Sequence, residues 1–223
     1  MKNSSPTKVA IIGLGNIGIA LATNLTKGNH NVILASREFE KAKKIATALG
    51  ATATAKTITE AINEADVIIP SIGFNLIKEF LKNYNDALSG KIIIDVSNPI
   101  APDGNGGFKK IIDENESAAK ILSALLPANA KLVKAFGTLG AESLKNDAFK
   151  DPFKMTLFYA SDNTNSNCQI EELISSAGFE PLHIGGIDQS IRIEVFGDLH
   201  QFGALGKTIS LEEAKAAVTK SQL

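Results

Sequence analysis

Along the chain, hydrophobic positions follow two alternating patterns. Short unbroken apolar runs have the length and β-branched content of strands buried on both faces. They are Val9 to Ile12, Asn31 to Ser36 (NVILAS), Asp66 to Ser71 (DVIIPS), Lys91 to Val96 (KIIIDV), Lys131 to Phe136 (KLVKAF), Met155 to Ala160 (MTLFYA) and Glu180 to Ile184. Between them, apolar residues recur at helical spacing: Ile17, Leu21 and Leu25 toward Gly28, a helix running to Leu49 before Gly50, and Asn75 to Leu88 with Ile77, Phe80, Leu81 and Tyr84 on one face. Ser117 to Leu126, a short helix from Ala141, and Ile170 to Ala177 continue the series. Thr52 to Ala55 reads as a brief edge strand, and Thr57 to Glu60 and Ser210 to Glu213 are capping boxes opening a short helix and a tail helix. Strand and helix in alternation predict an α/β fold, a doubly wound parallel sheet. The polar Met1 to Thr7 is expected to fray.

The first strand breaks into glycines. Gly13, Gly15 and Gly18 form GxGxxG, with Leu14, Asn16 and Ile17 between them, placed between a strand and a helix. That context is what makes a weak pattern informative. Gly13 lets the chain turn sharply, Gly15 lets backbone approach a pyrophosphate, and Gly18 lets the helix pack close to the sheet. The helix N-terminus then offers N–H groups and partial positive charge to phosphates. The pattern predicts the Rossmann dinucleotide-binding fold. Val9 to Thr26 carries no charge, yet its glycines, asparagines and threonines do not suit a hydrocarbon interior, so neither a signal peptide nor a membrane span is expected.

The end of the second strand selects the nucleotide. NAD-binding units place Asp or Glu about 20 residues past the glycines, where the carboxylate takes the ribose hydroxyls and repels a 2′-phosphate. This chain has Ser36 and Arg37 instead, with Lys41 one helical turn on. A hydroxyl, a guanidinium fork and an ammonium suit a phosphate, so NADP(H) is expected. Ser71 and Ile72 end the third core strand and are expected at the ribose region. Asn98 and Pro99 end the next, where Asn98 offers donor and acceptor to a carboxamide. Gly137 and Thr138 turn the chain at the same edge of the sheet.

Bulk properties narrow the partners. Lys and Arg number 23 against 24 Asp and Glu, for a net charge of −1, and no basic block is interleaved with aromatics, so nucleic acid and anionic membranes are not expected partners. One cysteine, Cys168, and three histidines give no disulfide and too few soft ligands for zinc, so no metal is expected and the compartment is read as cytoplasmic. Cys168 is read as incidental, His30 as a solvent-facing turn residue, and His200 as a core or capping residue of a helix. Pro102 to Phe108 (PDGNGGF) has the composition of a mobile loop, a lid or a surface excursion.

KVAIIGLGNIG, the pair Ser36–Arg37 with Lys41, SNP at Ser97 to Pro99, KAFGT at Lys134 to Thr138, and GFEPLHIGGIDQS from Gly178 to Ser190 resemble the coenzyme F420-dependent NADP oxidoreductase family over nearly the whole chain. The family also includes the cytoplasmic domain of six-transmembrane epithelial ferric reductases. The resemblance implies a single Rossmann-like domain over 1–223. Within it, 1–140 would form the dinucleotide core and 141–223 an extension lining the acceptor site. It implies that Gly15 to Ile17 hold the pyrophosphate, that Ser36, Arg37 and Lys41 hold the 2′-phosphate, and that Asn98, Phe136, Gly137 and Thr138 lie near the hydride. Gly137, where relatives carry Asn or His, and the longer tail beyond Leu211 depart from the pattern on the acceptor side.

The resulting expectation is an NADP(H)-dependent oxidoreductase, a homodimer, passing hydride between NADPH and a small-molecule ring acceptor such as a deazaflavin or flavin. Hydride passes directly between stacked rings held at about 3 to 3.5 Å, so little protein chemistry is required. No acid/base pair stands out, and no residue is assigned a catalytic role. The alternative is a non-catalytic NADP sensor or interaction module.

Overall fold

The computed structural model describes residues 7–220, so the frayed stretch expected over Met1–Thr7 falls, Thr7 apart, outside the described residues. The first half alternates β1 (Val9–Ile12), α1 (Asn16–Lys27), β2 (Val32–Ala35), α2 (Phe39–Leu49), β3 (Ala53–Ala55), α3 (Ile58–Glu64) and β4 (Val67–Pro70). It continues with α4 (Phe74–Asn83), α5 (Asn85–Leu88), β5 (Ile92–Asp95), a hairpin of β6 (Ile100–Pro102) and β7 (Phe108–Lys110), α6 (Ala118–Ser123) and β8 (Lys131–Ala135). The second part is α7 (Ala141–Asn146), β9 (Thr156–Ser161), α8 (Thr164–Ser176), β10 (Glu180–His183), a 3-10 helix (Ile187–Ile193) and α9 (Leu211–Lys220).

Eight strands form one sheet in the order β10-β9-β8-β5-β4-β1-β2-β3. β1 sits between β2 and β4, both parallel to it, with Val9 level with Val32 and Val67. The strand order reverses at β1, and ligands of such sheets bind at the carboxyl ends beside that reversal. Alternate β1 residues feed two apolar layers: Val9 and Ile11 face Leu21 and Leu25 of α1, while Ala10 and Ile12 face Ile62, Ile77 and Leu81 of α3 and α4. A third, smaller cluster joins Phe158, Ile184, Ile193 and Leu199 to Ala214 of α9.

Several expectations need correcting. The sheet is mostly rather than wholly parallel: β9 runs antiparallel to β8, with Val133 level with Ser161, and β10 follows β9. Strand direction leaves no local trace in a run such as MTLFYA, because the apolar pattern is the same either way. The helix expected over Asn75 to Leu88 breaks at Tyr84. The loop Pro102 to Phe108 is the tip of the β6–β7 hairpin, where Asp103 Oδ1 accepts the N–H groups of Asn105 and Gly107. His30 is buried, not solvent-facing, and its Nε2 lies 3.0 Å from the Thr7 carbonyl oxygen. Gly28 is the C-cap of α1, where a Cβ would strike the Ser176 carbonyl of α8, and Asn29 beyond it takes the left-handed conformation at φ 60°. Both capping boxes form. Among the described residues, no helix is long and apolar enough to cross a membrane.

Candidate functional site

A cleft of about 410 Å³ opens over the ends of β1, β2 and β4. Its wall includes Gly13, Leu14, Gly15, Ser36, Arg37, Lys41, Ser71 and Ile72, and its far end is the more apolar Ile58, Leu76, Phe80 and Tyr84. The glycines divide their work as the motif implies. Gly13 has φ 99° and no room for a side chain, since a Cβ would meet Ser71 O at 2.5 Å. At Gly18 a Cβ would strike the Gly13 carbonyl. Gly15 differs: nothing lies within 4 Å of its absent Cβ, so it leaves open space in front of the backbone.

Gly15 is also the N-cap of α1, which has neither a side-chain cap nor an acidic residue in its first turn. Its first N–H groups therefore have no anionic neighbour on their own helix, which favours an incoming phosphate. Asn16 is exposed there, Ile17 half-buried and Leu14 buried.

Ser36 stands at the end of β2, its Oγ donating to the Glu38 carbonyl at 2.6 Å. Arg37 and Lys41 are exposed on the cleft, and among the described residues neither joins an ion pair with an acid within 4.0 Å. An open glycine cradle, an uncapped helix start and two uncommitted cations fit a dinucleotide carrying an extra phosphate.

The ends of β5 and β8 are built differently. Asn98 Nδ2 donates to the Gly137 carbonyl at 2.9 Å, and its Oδ1 accepts the Val195 N–H at 2.7 Å. His200 also meets that carbonyl, at 2.9 Å from Nε2. Its Nδ1 accepts the Phe202 N–H, which fixes the proton on Nε2. His200 is not in a helix but in the turns after the 3-10 helix. Burial holds its pKa down to about 4, against the Gly137 hydrogen bond, and the nearby Lys134 charge lowers it further. Gly137 follows Phe136 at φ 61°, and a Cβ on Gly137 would meet Val96 O at 2.8 Å. Pro99 is buried, and Thr138 is buried with no partner for its hydroxyl among the described residues.

Behind this crossing lies a charge cluster that sequence reasoning missed. Lys134 Nζ lies 2.8 Å from Asp95 Oδ2 and 3.4 Å from Glu194 Oε1, all three residues buried. It also donates to the Ser97 carbonyl. Asp95 Oδ1 accepts the Ser97 N–H and hydroxyl, and Glu194 accepts the N–H groups of Ala118 and Ala119 at the start of α6. Burial alone would lower the Lys134 pKa, but Asp95 and Glu194 outweigh it and hold the ammonium above its ordinary value. Burial raises the Glu194 carboxyl, against the pull of Lys134 and two N–H donors. One signal was available: KIIIDV and KLVKAF each carry a charge inside an apolar strand, and the register sets Asp95 level with Lys134.

Comparison with known proteins fits this geometry. The family described as NADP oxidoreductase, coenzyme F420-dependent, matches residues 8–99. The F420-dependent NADP reductase of Methanothermobacter marburgensis is 26% identical over 198 residues, covering 84% of this chain and 88% of that protein. Over its nucleotide half the chain is similar to the coenzyme F420-dependent NADP oxidoreductase family. NADP(H), expected from Ser36 and Arg37, is the nucleotide of this oxidoreductase family.

Two other proteins are similar to the chain. The metalloreductase STEAP3 of Rattus norvegicus is 29% identical over 187 residues; the match covers 84% of this chain but only 36% of that protein, so this chain spans about a third of it. A solved structure, the hypothetical protein SMa0349 of Sinorhizobium meliloti, superposes with TM-score 0.79 at 32% identity, covering 92% of this chain and 95% of that one. The family match ends at residue 99, so it covers the nucleotide half and stops short of Gly137 and Thr138.

Proposed function

We propose that this chain is an NADPH-dependent oxidoreductase that passes a hydride to a ring acceptor of the deazaflavin or flavin kind. The observation that carries the reading is the pair of uncommitted cations, Arg37 and Lys41, at the position where an NAD-specific unit has an acid. When bound, NADPH supplies a hydrogen with its electron pair, and a ring acceptor completes its two-electron reduction with a proton from solvent. The chain's own part is binding and orientation.

In this reading Gly15 to Ile17 seat the pyrophosphate, and Ser36, Arg37 and Lys41 hold the 2′-phosphate. Ser71 and Ile72 floor the ribose. Asn98, Pro99, Gly137 and Thr138 form the rigid edge against which the reacting ring lies, with the described residues from 141 onward closing the acceptor side. His200 stays neutral near pH 7 and both its nitrogens are already hydrogen-bonded, so it braces Gly137 and donates no proton to the acceptor.

The test is an anaerobic screen of riboflavin, a deazaflavin, ferric chelates and quinones at fixed NADPH, repeated with NADH. Rapid reduction of a ring acceptor by NADPH, and much slower reduction by NADH, supports the reading. Protein that binds NADPH yet reduces none of them is a sensor instead.

A further inference from the structure

Two large apolar side chains beside the Asn98–Gly137 crossing are left in solvent. Phe196 is 51% exposed and Phe202 is 59% exposed. Hydrophobic burial favours covering phenyl rings, so two on one short segment call for an explanation. The segment that carries them is rigidly tied to the strand ends. The Val195 N–H donates to Asn98 Oδ1, the Gln201 N–H to the Thr138 carbonyl, and Gln201 Oε1 accepts the Gly140 N–H at 2.9 Å.

Glycines bring the two phenylalanines together. Gly197 and Gly203 pack backbone to backbone, with no room for a Cβ on Gly203 between them. Phe196 and Phe202, each adjacent to one of these glycines, therefore stand on neighbouring stretches of chain. Phe202 rests against Gly140, where a Cβ would meet its ring at 2.9 and 3.0 Å. Its centroid is 5.7 Å from that of His200. Phe196 is held at φ 76°, a region that bulky residues rarely occupy. The segment's charges are spoken for: Glu194 is buried with Lys134, and Asp198 pairs with Arg192 at 2.9 Å. What remains to face an acceptor is hydrocarbon.

We propose that Phe196 and Phe202 form a stacking wall for the acceptor and make this chain select planar conjugated heterocycles over ferric chelates. The inference rests on the hydride-transfer reading above and specifies its substrate class. Aromatic faces hold flat π-systems by stacking, whatever polar groups the ring's edge carries. A hydrated or chelated ferric ion presents no such face.

The test is binding, with riboflavin as the probe because its ring carries no phosphate. Riboflavin is titrated into protein saturated with NADP+, following quenching of flavin fluorescence, for the unaltered chain and for Phe196→Ala, Phe202→Ala, the double variant and Phe202→Tyr. Leu125→Ala is the control, an apolar residue of comparable exposure at 43% that lies before β8. Each phenyl removed is expected to weaken riboflavin binding about tenfold, while Phe202→Tyr and Leu125→Ala stay within about twofold of the unaltered chain and NADPH affinity holds in all.

Intact NADPH binding with riboflavin held equally by the unaltered chain and the double variant, or held by neither, overturns the wall alone. So does faster reduction of ferric citrate than of riboflavin by the unaltered protein. Failure of the unaltered protein to bind NADPH overturns the hydride-transfer reading and the wall with it.

Discussion

The two ends of the cleft are made of different materials. At β1 and β2 the grip is backbone and exposed side chain: the open face of Gly15, the uncapped start of α1, and Arg37 and Lys41, which pair with no acid among the described residues. At β5 and β8 the polar groups are already paired: His200, Lys134, Asp95 and Glu194 are buried, and the half-buried Asn98 bonds on both sides of its amide. The first end is poised for a ligand; the second is a fixed frame against which a ligand can be positioned. Changes at the first should therefore cost affinity and leave the fold alone, while changes at the second should cost the fold.

The largest effect belongs to Lys134. Lys134→Met leaves Asp95 and Glu194 buried without their cation, and breaking a buried pair in this way costs about 3 to 5 kcal/mol. Urea denaturation measures it, and a loss under about 1 kcal/mol would remove the distinction between the two ends. Further replacing Glu194 by Gln should recover part of the loss, since one fewer carboxylate then lacks compensation.

His200 comes next. Its folded pKa of about 4 lies below the ordinary 6.5, so the unfolded chain takes up the proton first as pH falls. The contribution of neutral His200 is whole above about pH 6.5 and is lost progressively toward pH 4, reaching about 3 kcal/mol. Comparing unfolding free energies at pH 7 and pH 4 for the unaltered chain and His200→Gln shows it: the variant should lack this share of the acid sensitivity. An identical pH dependence in both would mean that the imidazole is not held neutral by burial.

The smallest effect sharpens the other end. Gly15→Ala finds open space and an ordinary φ of −81°, so folding stability should stay within about 0.5 kcal/mol. NADPH affinity, measured by calorimetry, should nevertheless fall by about tenfold, because the new methyl occupies the approach to the pyrophosphate. Unchanged affinity would mean that the phosphates do not pass over Gly15.

The same division explains what could be read from sequence. GxGxxG, Ser36–Arg37 and Lys41 lie within 29 residues, from Gly13 to Lys41, and act through local backbone geometry, so their spacing alone announced the nucleotide end. The acceptor end is held by contacts between distant residues: Asn98 meets residues 39 and 97 positions away. Nothing local to Glu194 marks it as the cap of α6, and nothing local to MTLFYA says that β9 runs against β8. Periodicity reports which side of an element is buried, but it is silent on direction and on partners far along the chain. The burial of His30 is hidden from its local sequence for the same reason, since its ring meets the Thr7 carbonyl 23 residues away.

The central claim is that the cleft grips the extra phosphate of NADP(H). Calorimetric titration of NADPH and NADH into the unaltered protein and Arg37→Ala addresses it directly. Hydrogen bonds to a charged group contribute about 1.5 to 3 kcal/mol, so the variant should lose about thirtyfold in NADPH affinity. NADH should bind both proteins alike, and more weakly than NADPH binds the unaltered one. Equal affinity of the unaltered protein for the two coenzymes, or an unchanged preference in Arg37→Ala, would contradict the account.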